Sequence, residues 1–112
     1  MPIHVLDEDL ANALDQIEEN TPIYAKAKSE RVQLEQFRKS KKASLFLEAS
    51  GSTVAEKEQW AYAHDDYMQV IDGLAVATEK ETNAFWSLKL AEMKVDVWRT
   101  IQANTRREAK IM

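Results

Sequence analysis

Only four residues in this chain oppose helix formation strongly: Pro2, Pro22, Gly51 and Gly73. A β-rich fold needs many turns, and turns draw on Gly, Pro, Asn and Asp. Such scarcity in 112 residues predicts an all-α fold of long helices joined by few loops. The chain length suggests one helical domain, residues 1–112.

The positions of those residues punctuate the pattern. Residues 1–6 are a short apolar lead-in, and His4 within it is uninformative. Asp7 is placed to cap a short helix over 7–19, with Glu8 and Asp9 suiting its positive end. Leu10, Leu14 and Ile17 give that helix an apolar stripe. "NTPIY" then reads as a break, with Thr21 as N-cap and Pro22 as the first residue of a long helix over 22–49. Its expected stripe is Ile23, Ala27, Leu34, Phe37 and Leu45, with Phe46 or Leu47. Gly51 suits a left-handed C-cap. Thr53 and Glu56 fit a capping box that opens a short helix over 54–63, with Val54, Trp60 and Ala61 inward.

Asp65 or Asp66 is placed to cap a second long helix over 66–109. Tyr67, Val70, Ile71, Leu74, Ala77, Phe85, Leu88, Ala91, Val95, Trp98 and Ile101 recur along it, mostly three or four apart. Gly73 costs about 1 kcal/mol relative to alanine there and marks a bend or a close helix contact. Two long helices with a short helical connector are expected to form an elongated antiparallel hairpin, with residue 45 near 71 and residue 24 near 92. The acidic first helix would fold back on the end of the last. Trp86, Leu90, Val97 and Trp98 spread beyond one seam. Leu88, Leu90, Val97 and Trp98 are therefore expected to form an oligomer interface, and the protein to be a homo-oligomer. The hydrophobic spacing is not a clean heptad, which favours a bundle over a regular coiled coil.

Charge is segregated along the chain. Residues 1–20 hold six acidic side chains and no Lys or Arg; residues 26–42 hold seven Lys or Arg against Glu30 and Glu35. Residues 99–112 hold four more cations against Glu108. "RKSKK" supplies Arg38, Lys39, Lys41 and Lys42, and the C-terminal stretch supplies Arg106 and Arg107. Helical cations of this kind neutralise phosphates, and neighbouring aromatics stack on unpaired bases. Arg38, Lys41 and Lys42 share a face, whereas Lys39 points elsewhere. Tyr62 and Trp86 are the candidate stacking residues. The competing reading makes the cations a solvated face paired with Glu79, Glu81 and the acidic first helix. The net charge of −4 gives no general attraction to nucleic acid.

Chemistry beyond contact finds little support. "HDD" at 64–66, with Glu56 and Glu58, lacks a second His at helical ligand spacing, so no metal is expected, and Asp65 or Asp66 is explained by capping. No Gly-x-Ser-x-Gly turn accompanies the serines, and two glycines cannot build a phosphate loop. The chain has no cysteine, which removes disulfides, thiolate zinc and thiol nucleophiles. The expectation is a non-enzyme without a cofactor. "MPIHVLDEDL" lacks a signal-peptide pattern, and no run approaches the roughly 18 apolar residues of a membrane span, so a cytoplasmic protein is expected.

"ERVQLEQFRKSKKASLFLEA" at 30–49, "EKEQWAYAHDDYMQVIDGLAVATEKE" at 56–81 and "VWRTIQANTR" at 97–106 resemble a group of short, uncharacterised helical proteins of tailed bacteriophages and prophages. The resemblance covers most of 24–106. In that group a proline often follows the His of "YAH"; Asp65 stands there in this chain, which implies a softer helix break. The resemblance implies an accessory role in DNA recombination or replication in a bacterial host and carries over no enzymatic motif. Three functions follow as expectations. The first is contact with single-stranded DNA, or with a DNA-bound protein, through the basic faces. The second is a protein-interaction module that binds a host or phage protein through an apolar helical surface, inhibition of that protein being one form of it. The third is a helical assembly protein.

Overall fold

A computed structural model of the protein describes residues 6–111. The expected lead-in and His4 lie outside the described residues, apart from Leu6. Three helices follow in order: α1 (Asp7–Glu48), α2 (Val54–Ala63) and α3 (Asp65–Ile111). No strand occurs among the described residues, so the all-α expectation holds. No helix of the described residues is long and apolar enough to cross a membrane.

The first expected break is not there. Helix α1 runs 42 residues without interruption, with Pro22 inside it. The separate helix over 7–19 is therefore the start of α1, and it does not fold back. Proline in a helix interior removes one backbone bond and crowds the preceding turn. Two side chains just before it donate to carbonyls four residues back: Asn20 Nδ2 to Gln16 at 2.8 Å and Thr21 Oγ1 to Ile17 at 2.6 Å. Thr21 thus caps nothing. Burial supplies the reason for continuity, because the inward positions run straight past the proline. At the N-terminus, Asp7 is the first helical residue rather than the cap, and Leu6 N–H donates to the Asp9 carboxylate at 2.9 Å.

The start of α2 matches its expected bounds. Glu56 N–H donates to Thr53 Oγ1 at 3.1 Å, the first half of the capping box. The reciprocal arm reaches one residue further back: the Glu56 carboxylate accepts from Ser52 N–H at 2.9 Å, not from Thr53. Gly51 does not take a left-handed conformation. Its role is steric, because a Cβ there would lie 2.9 Å from the Cβ of Glu56. Between α2 and α3 the cap is His64 rather than either aspartate. His64 Nδ1 accepts from Asp66 N–H at 3.0 Å, while Asp65 and Asp66 occupy the first turn of α3. Gly73 causes no break, and nothing stands within 4 Å of where its Cβ would be.

Burial repeats every seven residues along both long helices, and on α1 polar and charged residues take several of the inward positions. On α1 the less exposed positions include Ala13, Asn20, Ala27, Leu34 and Lys41, alternating with Ile17, Tyr24, Arg31, Arg38 and Leu45. On α3 they include Val70, Ala77, Ala84, Ala91 and Trp98, alternating with Tyr67, Leu74, Glu81, Leu88, Val95 and Gln102. Alternating three- and four-residue steps are the spacing of a helix seam. Several expected stripe residues fall outside it. Leu14, Ile23, Phe37, Leu47, Val54 and Trp60 are exposed, and Ala84 takes the inward place assigned to Phe85.

The described residues form two compact units, one of Ala25–Glu81 and one of the residues up to Tyr24 with those from Thr82 onward. Both α1 and α3 contribute to each. In the Ala25–Glu81 unit, Leu45, Ala61 and Tyr67 form the core cluster, with Ile71 packed on it. Arg31 is bonded to Glu81 there, and Lys41 Nζ lies 3.4 Å from Asp66. In the other unit, Trp98 Nε1 donates to Asp7 at 2.9 Å and the Tyr24 and Phe85 rings lie 6.0 Å apart.

Candidate functional site

The "RKSKK" cations sit on the second half of α1, and three of them lie on or beside its inward seam. Lys41 is drawn to Asp66. Lys42 Nζ donates to the Tyr62 hydroxyl and stands 4.4 Å from that ring's centroid. That hydroxyl holds the Lys42 ammonium above the ordinary lysine range. The pair therefore contributes at neutral pH and weakens only as pH rises through that raised value. Arg38 is half-buried, and its Nε is shut from solvent without a hydrogen-bond partner among the described residues. Lys39 alone of the four is exposed. The shared face of Arg38, Lys41 and Lys42 is thus real, but it is turned inward.

The pairing of the α1 cations with Glu81, which the competing reading expects, is made by Arg31. Arg31 pairs with Glu35 at 3.0 Å and with Glu81, and the Glu81 bond chiefly raises its pKa. Long cationic side chains with apolar stems cover a seam while their heads find partners at its edge. Glu81 at a seam position on α3, matched by Arg31 on α1, was the available signal.

The other basic group differs. Arg106, Arg107 and Lys110 line a shallow exposed depression with Ala103 on the last turns of α3. None of the three makes an ion pair among the described residues. Arg99 touches only Asp96, at 3.9 Å.

The two candidate stacking residues also part company. Tyr62 is 44% exposed but committed, to Lys42 and to an edge contact with Tyr67 at 5.4 Å. Trp86 is 63% exposed, and its ring meets Phe85 edge-on at 5.3 Å. The four expected interface residues split as well. Leu88 and Trp98 belong to the inward seam, Val97 is half-buried, and Leu90 is 54% exposed. Met93, not expected, is exposed beside Leu90. Trp86, Leu90, Met93 and Val97 follow one another at steps of four, three and four, so they share one face of α3. That spacing was readable, but the stronger run of Phe85, Leu88 and Ala91 masked it.

Among the described residues, no three His, Asp or Glu side chains converge on a point. The chemistry on offer is contact: an apolar stripe on α3 and a cationic depression at its end. No protein-family model, curated protein or solved structure matches the chain.

Proposed function

We propose that this chain is a non-enzymatic accessory factor that works by binding protein, through the apolar outer face of α3 at Trp86, Leu90, Met93 and Val97. The observation that carries this reading is the exposure of three large apolar side chains on one helix face. Contiguous apolar patches mark interaction sites more often than scattered residues do. The phage resemblance supplies the setting, DNA recombination or replication in the cytoplasm of an infected or lysogenic bacterium. Within each unit, α1 and α3 pair antiparallel as the arms of a hairpin. Arg31 with Glu81, Lys41 with Asp66, and Leu45 with Tyr67 support this in one unit; Asp7 with Trp98 and Tyr24 with Phe85 support it in the other. Tyr24 thereby meets a residue seven before the expected position 92.

A second reading keeps nucleic acid as the partner, at a different place from the opening cluster. Arg106, Arg107 and Lys110 are exposed and unpaired among the described residues, which favours phosphate contact there over the engaged "RKSKK".

Capture of host-extract proteins on immobilised protein tests the first reading. Leu90→Asp should abolish capture while circular dichroism stays unchanged. The second reading is tested by anisotropy of a labelled single-stranded oligonucleotide at about 50 and 200 mM salt. The protein-binding reading expects little binding at either. Steeply salt-dependent binding that vanishes in Arg106→Ala with Arg107→Ala would move the function to nucleic acid.

A further inference from the structure

The outer stripe of α3 is a second seam. Leu90 and Val97 are seven residues apart, as are Trp86 and Met93, and the two sets alternate. Trp86 and Met93 each follow a buried alanine, Ala84 and Ala91, by two positions. Two positions turn about 200° around a helix. This stretch of α3 is therefore apolar on opposite sides, and among the described residues only one side is covered.

We propose that the outer seam pairs with the same seam of a second copy, running antiparallel, about a two-fold axis beside Ala91 and Glu92. This rests on reading the face as a docking surface and names its occupant. In that arrangement Trp86 packs against the partner's Val97, and Leu90 against the partner's Met93. Every seam residue then finds a counterpart on a copy of the same stretch.

Charge selects both the occupant and the direction. One edge of the seam carries Lys89 and Asp96; the other carries Ser87 and Lys94. When two copies run antiparallel, like edges meet. Lys89 then faces the partner's Asp96, and symmetry makes that contact twice, while Ser87 faces the partner's Lys94. When two copies run parallel, unlike edges meet, and Lys89 stands against the partner's Lys94, also twice. Opposite charges meet in the first arrangement and like charges in the second. Among the described residues, Lys89 lies 3.6 Å from Glu92 and 5.6 Å from the Phe85 ring centroid, and Asp96 lies 3.9 Å from Arg99, all of them at the surface. Such exposed pairs contribute little, so both are free to re-pair.

The chain has no cysteine, so single-cysteine variants report geometry cleanly. Leu90→Cys and Met93→Cys chains, mixed and oxidised, should give the mixed disulfide, with little from either chain alone. Disulfides formed within each variant alone would establish a parallel pair and overturn the proposal. Sedimentation velocity of the full chain should show a concentration-dependent dimer that Leu90→Asp abolishes with helicity intact. Lys89→Glu or Asp96→Lys alone should weaken the dimer about tenfold, and the double exchange should restore it. A dimer that survives Leu90→Asp overturns the proposal, as does a wild-type monomer throughout. If the wild type is a monomer while Leu90→Asp still loses extract capture, the pairing fails and the docking reading stands. If capture also survives, both fail.

Discussion

In the Ala25–Glu81 unit the interior holds large side chains among its alanines: Leu45 at 1% exposure, with Tyr67 and Val70 also buried, beside Ala27, Ala49, Ala61 and Ala77. In the other unit every buried residue among those described is alanine, namely Ala13, Ala84 and Ala91. Alanine removes little apolar surface from water, so a seam of alanines depends on close backbone approach rather than on side-chain volume. The consequence appears outside. The alanine-built unit leaves Trp86, Leu90 and Met93 in water. Its half-buried Leu88, Val95 and Trp98 stay on the seam, while the large apolar side chains beyond the seam face out, as Phe37, Leu47 and Trp60 do in the other unit.

The sharpest way to break the comparison is to remove volume where volume is the device. Leu45→Ala should cost about 3 kcal/mol, because it deletes the one large side chain that is fully buried. Thermal unfolding should show a fall of roughly 10 °C in Tm. A fall of only a degree or two would mean that the Leu45, Ala61 and Tyr67 cluster is not a core. The complementary test adds volume where there is no room. Ala91 is 0% exposed, so Ala91→Leu should overpack its seam and cost about 2 kcal/mol. Chemical denaturation of the variant measures it. An unchanged midpoint would show that the alanine seam has slack and that the contrast between the units is false.

The same contrast explains what could be read from the sequence. Helix α2 was legible to the residue because Thr53 and Glu56 act locally, three apart. The all-α class followed from the shortage of Gly and Pro. The α3 seam followed from hydropathy at Tyr67, Val70, Leu74, Ala77, Leu88, Ala91, Val95 and Trp98, but the α1 seam did so only at Ile17, Ala27, Leu34 and Leu45. Asn20, Arg31, Arg38 and Lys41 occupy inward positions of α1, while Ile23, Phe37 and Leu47 face out. A count of apolar residues therefore draws only part of the α1 stripe. Long cationic side chains lie along a seam through their methylenes, a use that no hydropathy scale credits. Pro22 misled for a related reason. Its local preference is the first helical turn, but the inward positions on both sides of it, Ile17, Asn20, Tyr24 and Ala27, keep one helix through it. Of the candidate sites, the C-terminal cations and Trp86 stand exposed where sequence placed them. The "RKSKK" cluster does not, because its partners Asp66 and Tyr62 lie far along the chain.

The smallest effect sharpens the comparison most, because it makes the same chemical change with the opposite sign. Gly73 lies on α3 in the unit built from large side chains, and a Cβ there would meet nothing within 4 Å. Leu34, Phe37, Lys41, Asp66, Gln69 and Val70 line an open groove beside it. Gly73→Ala adds one carbon into that space and removes the entropic cost of glycine in a helix interior. It should stabilise the protein by about 1 kcal/mol, raising Tm by roughly 4 °C. Ala91→Leu also adds carbon to the same helix, 18 residues on, yet it should destabilise. If both substitutions destabilise, the groove beside Gly73 closes in solution and both units are tightly packed. If both stabilise, neither seam is close-packed, and the exposed apolar face of α3 needs another cause than an interior filled with alanine.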